Sequence, residues 1–196
     1  MPPKATSASL SVLSFADADG WSKWLADHHA SSPGLWLKIA KKGAKASSVT
    51  YAEAIEVALV WGWIDGQKDK LDDAWWLQRF SRRGPKSIWS KINRDKALAL
   101  IDAGKMRPPG LLQVERAKKD GRWEAAYEGQ RSATVPPDLA RALAANPRAA
   151  RFFETLESYN RYAVLFRIHA AKKVETRARR IEKFVEMLAK HEKVHP

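Results

Sequence analysis

The chain is expected to be an α+β protein: a small, mainly antiparallel sheet packed with helices, followed by an all-helical C-terminal region. Three observations predict this. Short segments at 35–41 and 74–80 alternate apolar and polar residues, the two-residue period of strands. Helical segments lie between them without strict strand–helix alternation, which argues against a doubly wound parallel sheet. Beyond residue 137 every segment carries helical spacing.

Composition sets the limits. With 196 residues, 45% of them apolar, the chain is long enough for a real core and short enough for one domain, or one domain with a helical extension. Cysteine is absent, which excludes disulfides, thiol catalysis and cysteine-ligated zinc and fits a reducing cytoplasm. No apolar run approaches the ~20 residues of a membrane span. The start has no sustained apolar stretch of the kind a secretory signal needs. The expectation is therefore a cytoplasmic protein without a membrane span. A net charge of +13 favours polyanions as partners, although a generally basic, soluble surface accounts for it equally well.

Residues 1–9 read as a disordered tail and 10–127 as the α+β core. Within it, 10–15 is a weak strand. Asp17 or Asp19 caps a helix whose Trp21, Trp24, Leu25 and His28 form one stripe. His28 and His29 read as a core-edge and a surface residue rather than as metal ligands. In strand 35–41, Leu35, Leu37 and Ile39 share a face opposite Trp36 and Lys38. The loop at 41–49 has Lys and Gly but no GKS or GKT, so it is not a phosphate loop. Thr50 with Glu53 is a capping box opening a helix that ends at Gly62. Trp63, Ile64 and Asp65 enter a strand that Gly66 turns, and 67–73 is a charged loop. In strand 74–80, Trp75, Leu77 and Arg79 face away from Trp76, Gln78 and Phe80. Pro85 ends the extended run, and Ser87 or Ser90 caps a helix over 88–103 with Trp89, Ile92, Ala97, Leu100 and Ile101 inward. A short amphipathic helix covers 110–119, and Trp123 and Tyr127 pack back on the core. Residues 128–137 are the linker and 138–196 the helical region. In it Asn146–Pro147 makes a helix start, and Val174, Ala178, Ile181, Val185 and Leu188 form a stripe in steps of 4, 3, 4, 3.

The densest stretch is 61–93, WGWIDGQKDKLDDAWWLQRFSRRGPKSIWSKIN, with five of the nine Trp. WGWIDG, QRFSRR and SIWSKIN, followed by GKMRPPGLLQVERAKKDGRW at 104–123 and AAKKVETRARRI at 170–181, resemble the YdeI/OmpD-associated proteins. The ordered blocks run over about residues 15–190. By its name the family implies a role in protection against bacteriocins and cationic peptides; it implies no reaction. The family pattern has proline where Val174 stands, which leaves the break between the last two helices open.

Three candidate sites emerge. Arg79, Arg82, Arg83, Lys86, Lys91, Arg94 and Lys96 fall in one run broken by a single acid, Asp95. With Ser87 and Ser90 at a helix start, the ligand-binding set Arg79, Arg82, Arg83, Lys86, Ser87 and Ser90 would grip a phosphate or carboxylate; the alternative is a solvated charge run. Asp65, the lone acid of WGWIDG, is a candidate general base, or an ion-pair partner of Arg79, or a turn residue. Lys173, Arg177 and Arg180 form a basic ridge on one helix, or merely an exposed face. The nine Trp read as core rather than as stacking platforms.

No complete catalytic signature, metal-ligand spacing or cofactor motif appears. The leading reading is a cofactor-free cytoplasmic binding protein for an anionic small molecule, with the stress or bacteriocin protection that the resemblance implies. The alternatives are a non-specific nucleic-acid-binding protein, supported by charge alone, and an enzyme using Asp65 with Arg79 and Arg82.

Overall fold

A computed structural model describes residues 10–196, so the tail expected at 1–9 lies outside the described residues. The chain divides into two compact units. The first holds residues up to Trp89 and Asn93–Ala125; the second holds Ser90–Ile92 and Ala126–Pro196.

The first unit is α+β. Its elements are β1 (Val12–Leu13), α1 (Ala18–His28), β2 (Leu35–Ala40), α2 (Tyr51–Val60), β3 (Trp63–Lys70), β4 (Trp75–Arg82), α3 (Lys91–Asp102), whose first two residues count with the second unit, and α4 (Pro108–Lys119). The sheet order is β1-β2-β4-β3, with β1 parallel to β2 and the other pairs antiparallel. Local chemistry starts the first two helices: the Asp17 carboxylate accepts from Gly20 N, and Thr50 and Glu53 form a complete capping box.

The register sorts the side chains onto two faces. Leu35, Leu37 and Ile39 of β2 stand opposite Phe80, Gln78 and Trp76 of β4 on the face that carries the core. Trp36, Lys38 and Ala40 stand opposite Arg79, Leu77 and Trp75 on the other. Trp21 from α1 fills the core side, fully buried against Phe15, Trp24, Trp63 and Phe80. Indole N–H groups tie the layers: Trp21 Nε1 donates to Ala54 O at 3.1 Å and Trp63 Nε1 to His29 O at 3.1 Å.

Two expectations here need correcting. β3 does not stop at Gly66 but runs to Lys70, through a register shift between Asp65 and Lys68. The bulge frees the carbonyls of Gly66 and Gln67, and the Gln78 side-chain amide donates to both, at 2.9 and 3.1 Å. Lys68, Asp69 and Lys70, expected in a loop, are instead on an edge strand with β4 beside it, while Asp72 and Asp73 lie in the turn that follows. Nor does a helix start at 88. β4 continues to Arg82, Gly84 and Ser87 close a turn, and α3 begins only at Lys91, with Ile92 57% exposed rather than inward.

The second unit is helical: α5 (Pro137–Ala144), α6 (Pro147–Thr155), α7 (Ser158–His169) and α8 (Val174–Ala189). Leu139, Phe153, Val164, Ile168, Ile181, Phe184 and Leu188 form its core. α7 and α8 are separate helices without proline at 174: α7 is capped at Ala170, and Lys173 is the extended residue before α8. The α8 stripe holds at Ile181 and Leu188, which are buried, and at Val185, which is half-buried against the core. It fails at Val174, 79% exposed, and at Ala178, also exposed, while Phe184 joins the buried positions.

Candidate functional site

The six residues expected to share an anion site are not assembled in one place. Strand alternation puts Arg79 on the face of β4 with Trp36, whereas Arg82 stands opposite Trp63 on the core side. The Ser87 hydroxyl accepts from Gly84 N at 3.0 Å and its carbonyl accepts from Arg122 at 2.6 Å, so it serves the turn rather than a helix cap. Lys86 is exposed on that turn. Ser90 belongs to the second unit, where it bridges to Tyr127, and the first amide of α3, Lys91 N, donates to Tyr127 O at 2.8 Å.

Arg82 and Arg83 do meet, in a cleft of about 550 Å³ in the first unit. Arg82 is exposed, and its Nη1 donates to Ala30 O at 2.9 Å. Arg83 is buried; its guanidinium lies 3.6 Å over the Trp89 ring and donates to Ile88 O at 3.2 Å. The opposite wall is α4, which presents Pro109, Leu112, Gln113 and Arg116. Those four fall at i, i+3, i+4 and i+7, a spacing visible in the sequence that would have placed Arg116 on the cleft side. His29 also lines the cleft, and among the described residues no Asp or Glu does.

α4 reaches the cleft because of two glycines. Gly62, at φ +73°, lies where a Cβ would come 2.6 Å from Pro109 O, and a Cβ on Gly110 would come 2.4 Å from Val60 O. The N-terminus of α4 therefore lies directly on the end of α2, and Arg107 N donates to Val60 O.

Asp65 has a different partner from the one expected. It is in register with Phe80, hence on the face away from Arg79, and its carboxylate accepts from Tyr51 OH at 2.7 Å. No ion pair joins it to Arg79 among the described residues. The register therefore does not bring Asp65 and Arg79 together.

The ridge on α8 is an internal clamp rather than an open surface. Arg177 binds Asp138 in bidentate fashion, Nε to Oδ2 at 2.5 Å and Nη2 to Oδ1 at 2.9 Å. This holds the Asp138 carboxyl below its ordinary range. Arg177 Nη1 also donates to Ile168 O, and Arg180 to Arg167 O, so both cations satisfy carbonyls in the last turn of α7, at the negative end of its dipole. Lys173 is exposed. His28 and His29 each use Nδ1 on a helical carbonyl, those of Trp24 and Leu25. Among the described residues no group of three or more His, Asp or Glu is placed to hold a metal.

The second unit also contains a pocket that sequence reasoning missed, of about 210 Å³, beside Tyr127, Glu128, Tyr162 and Phe166. Its residues are scattered from 91 to 177, and no motif links them. Lys91 Nζ donates to Glu128 Oε1 at 2.7 Å, and Thr134 N to Glu128 Oε2 at 3.0 Å. These bonds, the one from Lys91 first, hold the Glu128 carboxyl below its ordinary range. Tyr162 OH donates to Glu128 O at 3.0 Å, and burial pushes its phenol up to about 12. Because the folded state disfavours the phenolate, this contribution to stability is full below pH ~10 and is lost as pH rises through about 12. An ultraviolet titration should show one phenol ionising near about 12, absent in Tyr162→Phe. A late-titrating phenol that survives in that variant would refute the assignment.

Residues 13–113 match the family model described as Domain of unknown function (DUF8412), and residues 132–191 match the model described as Bacteriocin-protection, YdeI or OmpD-Associated. The first match spans half of the chain, which belongs to that family; the second places a YdeI/OmpD-associated domain in its C-terminal part. The blocks WGWIDG, QRFSRR and SIWSKIN fall in the first match; AAKKVETRARRI falls in the second. No curated protein and no solved structure matches the chain. Among the described residues no helix is long and apolar enough to cross a membrane.

Proposed function

We propose that this protein is a cofactor-free binding protein, and that the first-unit cleft takes a small phosphate- or carboxylate-bearing anion. One observation carries this reading: Arg82, Arg83, Arg116 and His29 line a single cleft that, among the described residues, no Asp or Glu lines. Such a wall has a surplus of donors and positive charge, and guanidinium groups suit planar or tetrahedral oxyanions. Arg83, held against Trp89, supplies a buried charge; Arg82 and Arg116 supply exposed ones. The description of the second matched family supports a role in bacteriocin or cationic-peptide protection, and the cysteine-free composition supports a cytoplasmic setting.

A thermal-shift screen with inorganic phosphate, pyrophosphate and citrate tests this. A bound anion at about 100 times its Kd should add about 2.7 kcal/mol to stability. Arg82→Ala with Arg116→Ala should abolish that shift while moving the unliganded stability by only ~0–1 kcal/mol, because both side chains are exposed. If none of the anions shifts Tm, or if the double variant still responds, the cleft is not the site. Oligonucleotide binding that falls steeply with salt and ignores the double variant would favour the nucleic-acid reading, which the +13 charge supports.

A further inference from the structure

The pocket in the second unit is independent of the arginine cleft and shares no residue with it. Its walls come from Lys91 at the start of α3, from the segment at 126–136, from α7, and from Arg177 near the start of α8.

The polar wall is held in place before any ligand arrives. Lys91 is fixed by Glu128, Tyr162 donates to the Glu128 carbonyl, and Arg177 is fixed by Asp138 and Ile168 O. The other wall is aromatic. Tyr127 and Phe166 meet edge to face with centroids 5.1 Å apart, and Phe166 and Tyr162 lie 5.8 Å apart.

Size limits what can enter. A cavity of ~150 Å³ lined by apolar side chains admits a benzene ring, and drug-sized ligands need ~300 Å³ or more. At about 210 Å³ this pocket suits one ring with one substituent.

Charge selects the substituent. Both oxygens of Glu128 already accept hydrogen bonds, Oε1 from Lys91 and Oε2 from Thr134 N and Oγ1. Lys91 has three ammonium hydrogens and directs one to Glu128. The lining cations Lys91 and Arg177 outnumber the single lining carboxylate. The wall therefore has donors to give and few acceptors to offer. We propose that the second unit binds a small single-ring aromatic carboxylate, its ring against Tyr127, Tyr162 and Phe166 and its carboxylate toward Lys91.

Calorimetry on the full-length protein with benzoate and nicotinate tests this, with benzylamine and benzyl alcohol as comparators. Benzoate or nicotinate should bind saturably and benzylamine should not. Lys91→Gln should weaken the carboxylate about tenfold, the worth of one charge-assisted hydrogen bond. Ala133→Phe, which fills the pocket from its edge, should abolish binding, with circular dichroism reporting that the fold is kept. Arg82→Ala with Arg116→Ala should leave it unchanged, so this proposal and that for the first-unit cleft fail separately. The proposal is overturned if neither carboxylate binds, if benzylamine binds as well as benzoate, if binding survives in Ala133→Phe, or if it disappears in the Arg82/Arg116 variant.

Discussion

Trp21→Ala should destabilise the first unit by about 3–5 kcal/mol, the cost of emptying a large aromatic site in a packed core. Trp21 is fully buried, and four aromatic rings have their centroids within 6.1 Å of its own: Phe15, Trp24, Trp63 and Phe80. Those rings come from the segment before α1, from α1 itself and from two strands, so a void at Trp21 removes contacts from every layer at once. The variant also leaves Ala54 O in α2 without its indole donor. Against a total stability of ~5–15 kcal/mol this is a large fraction. All nine Trp lie in the first unit, so urea unfolding followed by tryptophan fluorescence reports that unit specifically. Its midpoint should fall by about 2 M, given a slope of ~2 kcal/mol per M. Trp21→Phe should recover much of the loss, keeping the ring while losing the hydrogen bond. An alanine midpoint within about 0.5 M of the parent's would mean that the aromatic cluster is not the centre of the core.

The sequence was legible where a feature is made by neighbours. Asp17 and Thr50 cap their helices through residues three positions on, and alternation in β2 and β4 sorts Leu35 from Trp36 and Phe80 from Arg79. It was not legible where a partner comes from far along the chain. β3 passes Gly66 because Gln78, twelve residues away, satisfies the bulge. Asp65 and Arg79 pair naturally in a list of charges, yet the register of β3 against β4 puts them on opposite faces. Of the expected arginine set, Arg82 and Arg83 line one cleft and Arg79 does not. The third arginine is Arg116, whose helical phase was readable but whose destination depends on where α4 docks. Charge-rich runs such as Lys173, Arg177 and Arg180 look like surface in a sequence because acceptors such as Ile168 O carry no sequence signal.

Docking of α4 can be broken at one atom. By helix propensity, Gly110→Ala should stabilise the protein by about 1 kcal/mol, since Gly is the poorest ordinary helix residue. The structure predicts the opposite sign. A Cβ at 110 would sit 2.4 Å from Val60 O and 2.7 Å from Leu59 O. Both are backbone atoms in the last turn of α2, and both already accept hydrogen bonds, from Arg107 N and Gly62 N. Neither can swing aside as a flexible side chain would, so α4 must move off α2. Overpacking of this kind costs ~1–3 kcal/mol, and Gly110→Val, with two more methyl groups, should reach the upper end of that range. The displacement also has a functional consequence, because α4 carries Arg116 and Gln113 into the cleft. Gly110→Val should therefore weaken anion binding even though residue 110 does not line the cleft. Gly104→Ala separates contact from conformation: it has φ +66° with nothing within 4 Å of the added Cβ, so it should pay ~1–2 kcal/mol for the left-handed backbone and leave anion binding alone. Urea unfolding and anion titration on the three variants decide the matter. If Gly110→Ala is more stable than the parent, propensity has won and α4 is not held against α2 as closely as this geometry requires.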